Sequence, residues 1–379
     1  MNKFFPLFLF ICISFGHKAF ALWTNKTMMF DGLSRTYRVY QSPNYNPSSP
    51  ASLLIALHGL GDNMTNFSGI GFNYIADTAN IICIFPQAVT DQFAGTAWNS
   101  GAGSFGYYPN ANVNDIGFIN ALIDTAISNY SIDNSRVYLC GFSMGGFMTQ
   151  KMALISNAKI AAFASMSGTI GSGVTSFNPG RPIPIAHFHG TADTNVPFSG
   201  NSFGFDPDSM VQFWVNNNSC NSDPDSFSYP DLANDTINID RFEYSSGDPQ
   251  SEVWFYKMYG AKHTVLFQPA NDITEPVELW LFLQRHTLPA AGLKENIEFS
   301  KGPGIFPNPA NKTISIRGIS SGNKENSILI IRNLQGQLEL KKSITSEKNQ
   351  VDISAMPPGM YLFEFSGPGL METKKFIKE

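Results

Sequence analysis

Three residue types that together transfer acyl groups occur in this 379-residue chain in settings suited to that chemistry. Residues 141–145 read Gly141-Phe142-Ser143-Met144-Gly145. They follow the apolar run Val137-Tyr138-Leu139-Cys140 and precede Gly146-Phe147-Met148-Thr149-Gln150-Lys151-Met152, a helix-like stretch. Where a strand turns abruptly into a helix, a serine at the bend needs neighbours without bulk two residues to either side, and its hydroxyl is pushed out of the fold. The pentapeptide alone arises readily by chance, but its flanks make Ser143 the candidate nucleophile.

A serine hydroxyl needs a base at neutral pH, and the base needs an acid to hold its tautomer. Of the six histidines, His17 lies in the N-terminal apolar segment, His58 ends a strand before Gly59, His187 and His189 bracket Phe188 in a strand, and His286 closes a helix. His263, in the loop Tyr259-Gly260-Ala261-Lys262-His263-Thr264 directly after a strand, is the candidate base. Asp193, in Gly190-Thr191-Ala192-Asp193, follows a strand ending at the same rim and is the candidate acid. The order Ser143, Asp193, His263 is that of an α/β-hydrolase. An oxyanion needs two donors; the amides of Met144 and of Leu60, in His58-Gly59-Leu60-Gly61, are placed to supply them.

The stretch from Ala97 to Asn110 is rich in aromatics and glycine. Trp98, Tyr107 and Tyr108, with Phe105, suit a platform on which a sugar or phenolic acyl group stacks; an aromatic-anchored surface loop is the equal alternative. Trp98, Tyr107, Tyr108 and His58 are thus the candidate substrate contacts, His58 fitting a positioning or purely structural part as well. Asp115, after Asn114, reads as part of a helix cap. No Cys-x-x-Cys and no His/Cys cluster at metal spacing occurs, so neither metal nor cofactor is expected.

The elements that must carry these residues alternate. A hairpin around Asp31-Gly32 is followed by strands at 53–57, 81–85, 136–140, 161–166, 183–188 and 252–258, with helices near 65–79, 115–129, 146–154, 207–216 and 274–285. That alternation predicts a mostly parallel sheet with helices on both faces, whose chemistry gathers at the carboxyl ends of the strands. Residues 288–298 read as a linker. Beyond them, strand-like runs at 313–317, 327–332, 337–344 and 360–365 predict a small all-β sandwich.

Lys3, the apolar run Phe4 to Phe15 and Ala19-Phe20-Ala21 have the zones of a secretory signal peptide, with cleavage expected before Leu22, and no later apolar run is long enough to span a bilayer. Residues 22–292 hold 11 basic against 21 acidic side chains, and residues 293–379 hold 12 against 9. An acidic main domain without a basic stripe argues against nucleic acid as a partner. After cleavage three cysteines remain, Cys83, Cys140 and Cys220, an odd number that leaves at least one thiol free.

The motifs Leu57-His58-Gly59-Leu60-Gly61-Asp62, Trp98-Asn99-Ser100-Gly101, Asn114-Asp115-Ile116-Gly117-Phe118-Ile119, the Ser143 turn, His189-Gly190-Thr191-Ala192-Asp193-Thr194-Asn195-Val196-Pro197 and Gly260-Ala261-Lys262-His263-Thr264 together resemble the secreted esterases grouped with polyhydroxybutyrate depolymerases, feruloyl esterases and acetyl xylan esterases. The resemblance covers about 27–287. It implies a Ser143, Asp193 and His263 triad that hydrolyses esters of plant polysaccharide or polyhydroxyalkanoate type through an acyl-enzyme. A disulfide frequent in that group, from a cysteine after a tryptophan-bearing helix, has no second cysteine here at Tyr244-Ser245-Ser246-Gly247. Phe306-Pro307-Asn308-Pro309-Ala310, Asn333-Leu334-Gln335-Gly336-Gln337 and Met356-Pro357-Pro358-Gly359-Met360-Tyr361-Leu362 resemble the type A sorting domain of the Bacteroidota type IX secretion system, over roughly 299–379. That implies export to the exterior or the cell surface, with the secretion machinery as partner; a small carbohydrate-binding sandwich is the alternative. For the main domain, the other readings of the same fold are a serine peptidase and a non-catalytic surface binding protein.

Overall fold

The computed structural model describes residues 22–288 except 176–177 and 249–250, and then 304–306, 310–317, 327–333, 337–344, 350–367 and 370–378. The expected signal peptide, and all of the expected linker but its first residue, lie outside the described residues. The chain divides into two compact units, Met1–Ala290 and Ala291–Glu379.

The first unit is built on one ten-stranded sheet in the order β1-β2-β4-β3-β7-β8-β9-β12-β11-β10. Its strands are β1 (Leu22–Phe30), β2 (Leu33–Gln41), β3 (Ala51–Leu57), β4 (Ile81–Pro86), β7 (Ile132–Phe142), β8 (Ala162–Met166), β9 (Ile185–Gly190), β10 (Asp225–Ser228), β11 (Asn238–Tyr244) and β12 (Val253–Tyr259), while β5 (Val89–Asp91) and β6 (Gly95–Ala97) form a separate hairpin. The run from β4 to β12 is parallel, and antiparallel strands close both edges.

Strand β3, with the sequence Ala-Ser-Leu-Leu-Ile-Ala-Leu, is buried along its whole length, as a central parallel strand covered on both faces must be. Its alternation assigns the two layers. Leu53, Ile55 and Leu57 pack with α3 (Asp115–Asn129), α4 (Met144–Ile155) and α5 (Pro207–Asn217) through Phe118, Leu122, Met148 and Trp214. Leu54 and Ala56 face the opposite layer, where α1 (Met64–Phe67), α2 (Phe72–Ala76) and α6 (Glu275–Leu283) contribute Phe67, Phe72, Leu279 and Phe282.

The single helix expected near 65–79 is instead two short ones, because Gly71 between them adopts a left-handed φ of 105° that ends one helical path and starts another. Strands β10 and β11 were not anticipated. They lie at a sheet edge, where Arg241, Glu243 and Asp240 are satisfied by ion pairs and hydrogen bonds, so their polarity masks the strand. Asp115 is not the cap of α3. Asn114 caps it by accepting from the Gly117 amide, while Asp115 is buried against Arg35 at 2.7 Å and accepts from the Asn99 amide at 2.7 Å.

Cys83, Cys140 and Cys220 are free thiols. The segment around Cys220 is tied to 245–248 by hydrogen bonds instead, from Asn221 N to Ser245 O and from Asp248 N to Asn218 O. Among the described residues no helix is long and apolar enough to cross a membrane.

Among its described residues the second unit is all-β, as expected. One antiparallel sheet holds β13 (Gly304–Phe306), β14 (Thr313–Arg317) and β17 (Gln350–Asp352), and another holds β15 (Ser327–Asn333), β16 (Leu338–Ile344), β18 (Gly359–Gly367) and β19 (Leu370–Lys378). Ile314, Leu329, Ile331, Phe363 and Phe376 form its core. Of the motif residues that carry the sorting-domain resemblance, Pro307, Asn308 and Pro309 lie outside the described residues, while Gly359 opens β18.

Candidate active site

The turn from β7 to α4 places Ser143 at φ 54° and ψ −120°, a left-handed conformation that costs a non-glycine residue about 1–3 kcal/mol and persists only when its surroundings enforce it. Backbone packing does the enforcing. A Cβ on Gly141 would lie 2.3 Å from the Gly145 carbonyl carbon and oxygen, and one on Gly145 would lie 2.1 Å from Leu57 O. The glycines therefore let the turn press against itself and against the end of β3, while Ser143 N donates to Met166 O at 2.8 Å.

Strands β9 and β12 are parallel neighbours, with Met258 opposite Gly190, so the loops that follow them emerge side by side. The loops are laced by Thr191 N to Met258 O and Ala192 N to Ala261 O, and a Cβ on Gly190 would lie 2.3 Å from Ala261 O. This lacing brings His263 to Asp193. His263 Nδ1 lies 2.7 Å from Asp193 Oδ2, and His263 Nε2 lies 2.9 Å from Ser143 Oγ. Since an ionised carboxylate only accepts, Nδ1 carries the proton and Nε2 offers its lone pair to the serine hydroxyl. The Phe142 ring packs against the imidazole at 4.9 Å.

Asp193 is buried, and its other oxygen accepts from the Asn195 and Val196 amides at 2.9 and 2.8 Å. Burial alone would raise its pKa. The hydrogen bonds from His263 and the Val196 amide outweigh that and hold it below the ordinary carboxylate value.

Ser143 and His263 open onto a cavity of about 570 Å³. Leu60 and Met144 also line it, and neither amide donates to another group among the described residues. Much of the remaining wall is apolar, from Ala94, Ala102, Phe142, Phe147, Val196 and Phe203. Among the described residues no lysine or arginine lines it, and the acids close enough to share an ion, Asp231, Asp235 and Asp272, are not on its wall.

Of the four candidate substrate contacts only Tyr107 is on that wall. Trp98 is fully buried, and its indole Nε1 donates to His58 O at 2.9 Å. His58 is buried too. Its Nδ1 meets Gly59 O at 2.7 Å and its Nε2 accepts from Ala88 N at 3.1 Å, while burial lowers its pKa and keeps the ring neutral. Both residues brace the backbone of the Leu60 loop and are absent from the cavity wall. Tyr108 lies across Gly103 and Gly173, where added Cβ atoms would come within 2.5 Å of its ring, and it too is absent from the wall. Phe147 and Phe203 were missed by sequence reasoning. The first was within reach of it, because one turn of helix after Ser143 returns residue 147 to the same face.

A strained serine at a strand-to-helix turn, served by loops after later strands of a mostly parallel sheet, defines an α/β-hydrolase. Residues 45–203 match the phospholipase/carboxylesterase family. A bifunctional acetylxylan esterase/xylanase of Neocallimastix patriciarum is 31% identical over 253 residues, which is 66% of this chain and 34% of that protein. Feruloyl esterase D of Neurospora crassa is 28% identical over 181 residues, 44% of this chain and 56% of that one. A poly(3-hydroxybutyrate) depolymerase of Ralstonia pickettii is 29% identical over 119 residues, 29% of this chain and 24% of that one. These are the three kinds of esterase whose motifs the sequence carries. The chain spans between about a third and just under two thirds of the length of the curated relatives it matches first. Residues 304–379 match the secretion system C-terminal sorting domain, which marks the protein as one directed to the cell surface or beyond it.

Proposed function

We propose that the protein is a secreted serine carboxylesterase that works through an acyl-enzyme, with Ser143 as nucleophile, His263 as general base and then acid, and Asp193 as the group that holds the imidazole. The observation that carries this reading is the unbroken line from Asp193 Oδ2 through His263 to Ser143 Oγ, at 2.7 and 2.9 Å, ending on the cavity wall. As Oγ attacks the ester carbonyl, Nε2 takes its proton and Asp193 stabilises the imidazolium. The carbonyl oxygen, now negative, is received by the Leu60 and Met144 amides. His263 returns the proton to the departing alcohol, and water repeats the sequence to release the acid.

A largely apolar wall that carries Asp62 and no lysine or arginine suits an uncharged acyl group over an anionic one, and a cavity of about 570 Å³ has room for an aromatic one. Feruloyl or acetyl esters of plant polysaccharide, or polyhydroxyalkanoate-type esters, are the substrates this reading favours. Residues 22–287 are the catalytic domain, and the sorting domain, taken as 299–379, engages the secretion machinery.

Ser143→Ala tests the assignment. Hydrolysis of short p-nitrophenyl esters is expected to fall by about 10⁴-fold or more with the melting temperature preserved. Retained activity would remove Ser143 from the reaction. Relative kcat/KM on methyl ferulate, acetylated xylan and hydroxybutyrate oligomers then decides among the substrates.

A further inference from the structure

Behind Asp193 a line of buried polar side chains continues away from the cavity. Trp214 Nε1 donates to Gln150 Oε1 at 2.8 Å, and Gln150 Nε2 donates to Ser165 Oγ at 2.7 Å. Ser165 Oγ lies 2.8 Å from His187 Nδ1, His187 Nε2 lies 3.1 Å from His189 Nδ1, and His189 Nε2 lies 2.8 Å from Val196 O. All five side chains are buried.

The direction of every link is set from both ends, because an indole only donates and a carbonyl only accepts. Starting at Val196 O, His189 must carry its proton on Nε2. Burial holds both imidazoles below their ordinary pKa, so each is neutral and has one proton. His189 Nδ1 therefore accepts from His187 Nε2, and His187 Nδ1 accepts the Ser165 hydroxyl proton. Starting at Trp214, the Gln150 oxygen must face the indole, which turns its amide nitrogen toward Ser165. The two ends give the same order, with no link in which two donors or two acceptors meet.

That order bears on Asp193. His189 Nε2 lies 3.7 Å from Asp193 Oδ2, the oxygen that receives His263. The separation is short enough for an ion pair, yet a neutral imidazole presents only a proton-bearing edge there. In the other tautomer a lone pair would face both the carboxylate and Val196 O. Val196 is held twice, its carbonyl by His189 and its amide by Asp193 Oδ1. We propose that His189 is a positioning residue: locked as its Nε2–H tautomer by the chain from Trp214, it clamps the 193–196 turn and keeps Asp193 aimed at His263. This assignment rests on the esterase reading of the same site. Misaiming the acid slows a step in which the imidazolium forms, so the loss falls on kcat and leaves KM in place.

The test uses the full chain and p-nitrophenyl acetate. His189→Leu is expected to lower kcat by about ten- to a hundredfold with KM within about twofold. His189→Gln, whose amide keeps a donor for Val196 O and an acceptor for His187, is expected to recover most of that loss. In ¹⁵N-histidine NMR of the unsubstituted protein at neutral pH, His187 and His189 are both expected as neutral Nε2–H tautomers. Equal kcat in the Gln and Leu variants would reduce His189 to a space-filler, and unchanged kcat in the Leu variant would overturn the proposal. An Nδ1–H or charged signal from either ring would overturn it as well. If the Leu variant does not fold, the Gln variant must keep most of the unsubstituted kcat and the tautomer signals must agree, or the proposal falls. An unsubstituted protein with no activity on any ester would instead defeat the esterase reading, and the positioning role with it.

Discussion

The turn at Ser143 and the loop from 97 to 110 border one cavity, but different forces hold them in shape. The turn is fixed by backbone against backbone, with Gly141, Gly145 and Gly146 pressed onto the carbonyls of Leu57, His58 and Met166, onto Gly168 Cα and onto the turn itself. The loop has such contacts at Gly103, where a Cβ would lie 2.2 Å from Tyr107 O, and at Gly101, against which Gly171 packs, and is tied elsewhere by side chains reaching back to the main chain. Asp91 accepts from the Phe93, Ala94 and Asn110 amides, Asn110 Nδ2 donates to Val89 O and Ala97 O, and Trp98 donates to His58 O. A backbone-packed turn tolerates almost no added atom, whereas the loop tolerates change at a position such as Gly106, where an added Cβ meets nothing within 4 Å. Rigidity where the nucleophile sits and adaptability where the substrate enters are the division this predicts.

Glycine substitution is the widest test of that division. Gly145→Ala puts a methyl 2.1 Å from Leu57 O, a clash only a backbone shift relieves, and no folded or no active protein is expected. Gly106→Ala, in the loop, meets nothing within 4 Å and pays only for its positive φ of 80°, about 1–2 kcal/mol. Thermal unfolding of the two variants compares them directly. If Gly145→Ala melts near the parent, the turn is not held by packing as described.

The loop that carries His263 falls between these cases, laced to the Asp193 loop at its start by backbone contacts and closed at its end by a buried acid. Glu275 Oε1 accepts from Leu266 N at 2.8 Å and Glu275 N donates to Leu266 O at 3.0 Å, closing the segment three residues past His263. Burial pushes the Glu275 carboxyl from 4.5 up to about 8, against the opposing Leu266 hydrogen bond. A folded-state pKa above the unfolded one means that the native state holds the proton longer. Stability is then greatest below the unfolded value and declines as pH rises from about 4.5 to about 8, with no further loss from this group above that. Glu275→Gln keeps an acceptor for Leu266 and has no proton to lose, so its melting temperature is expected to exceed the parent's increasingly across that window. Parallel pH profiles for the two proteins would contradict the assignment.

What was legible in the sequence follows the same division. The Ser143 turn was readable because close backbone approach demands glycine at set offsets, and the Asp193 and His263 loops were readable because each follows a strand with an alternation of its own. The mostly parallel character of the run from β4 to β12 follows from that alternation as well. Between a substrate platform and an anchored loop the sequence leaves Trp98, His58 and Tyr108 open, and they lie off the wall, because in an irregular loop the direction of a side chain is decided by a distant partner. Trp98 finds its acceptor 40 residues away, and Arg35 finds Asp115 at a separation of 80. Composition marked the loop as aromatic and could not say which rings turn inward.

Trp98→Phe separates the two roles open to that ring. As a brace, its loss leaves the buried His58 carbonyl short of a donor and costs about 1–3 kcal/mol of stability, with KM for every ester unchanged. As a substrate platform it would do the reverse, moving KM for aromatic esters and sparing the melting temperature. Steady-state kinetics on methyl ferulate beside a thermal melt distinguishes the two.

Tyr107 is the one aromatic of the four that reaches the cavity, and Tyr107→Phe is expected to have the smallest effect. Its hydroxyl donates to Asp91 Oδ1 and its ring meets Phe93 edge-on at 5.8 Å. That hydrogen bond is the leading reason the Asp91 carboxyl sits well below its ordinary pKa, and in return it raises the Tyr107 hydroxyl to about 12. Removing the hydroxyl leaves the ring in place and Asp91 with three backbone donors, so the hairpin of β5 and β6 keeps its shape and the melting temperature holds. What is lost is the tie between that hairpin, which contributes Ala94 to the wall, and the segment from Gly103 to Pro109, which contributes the facing residues. A bulky acyl group that touches both sides should bind about two- to fivefold more weakly, and an acetyl group should bind as before. A KM change of equal size for acetyl and feruloyl esters would show that Tyr107 acts on the reacting centre itself, and the division between a rigid turn and an adaptable mouth would then not hold at this residue.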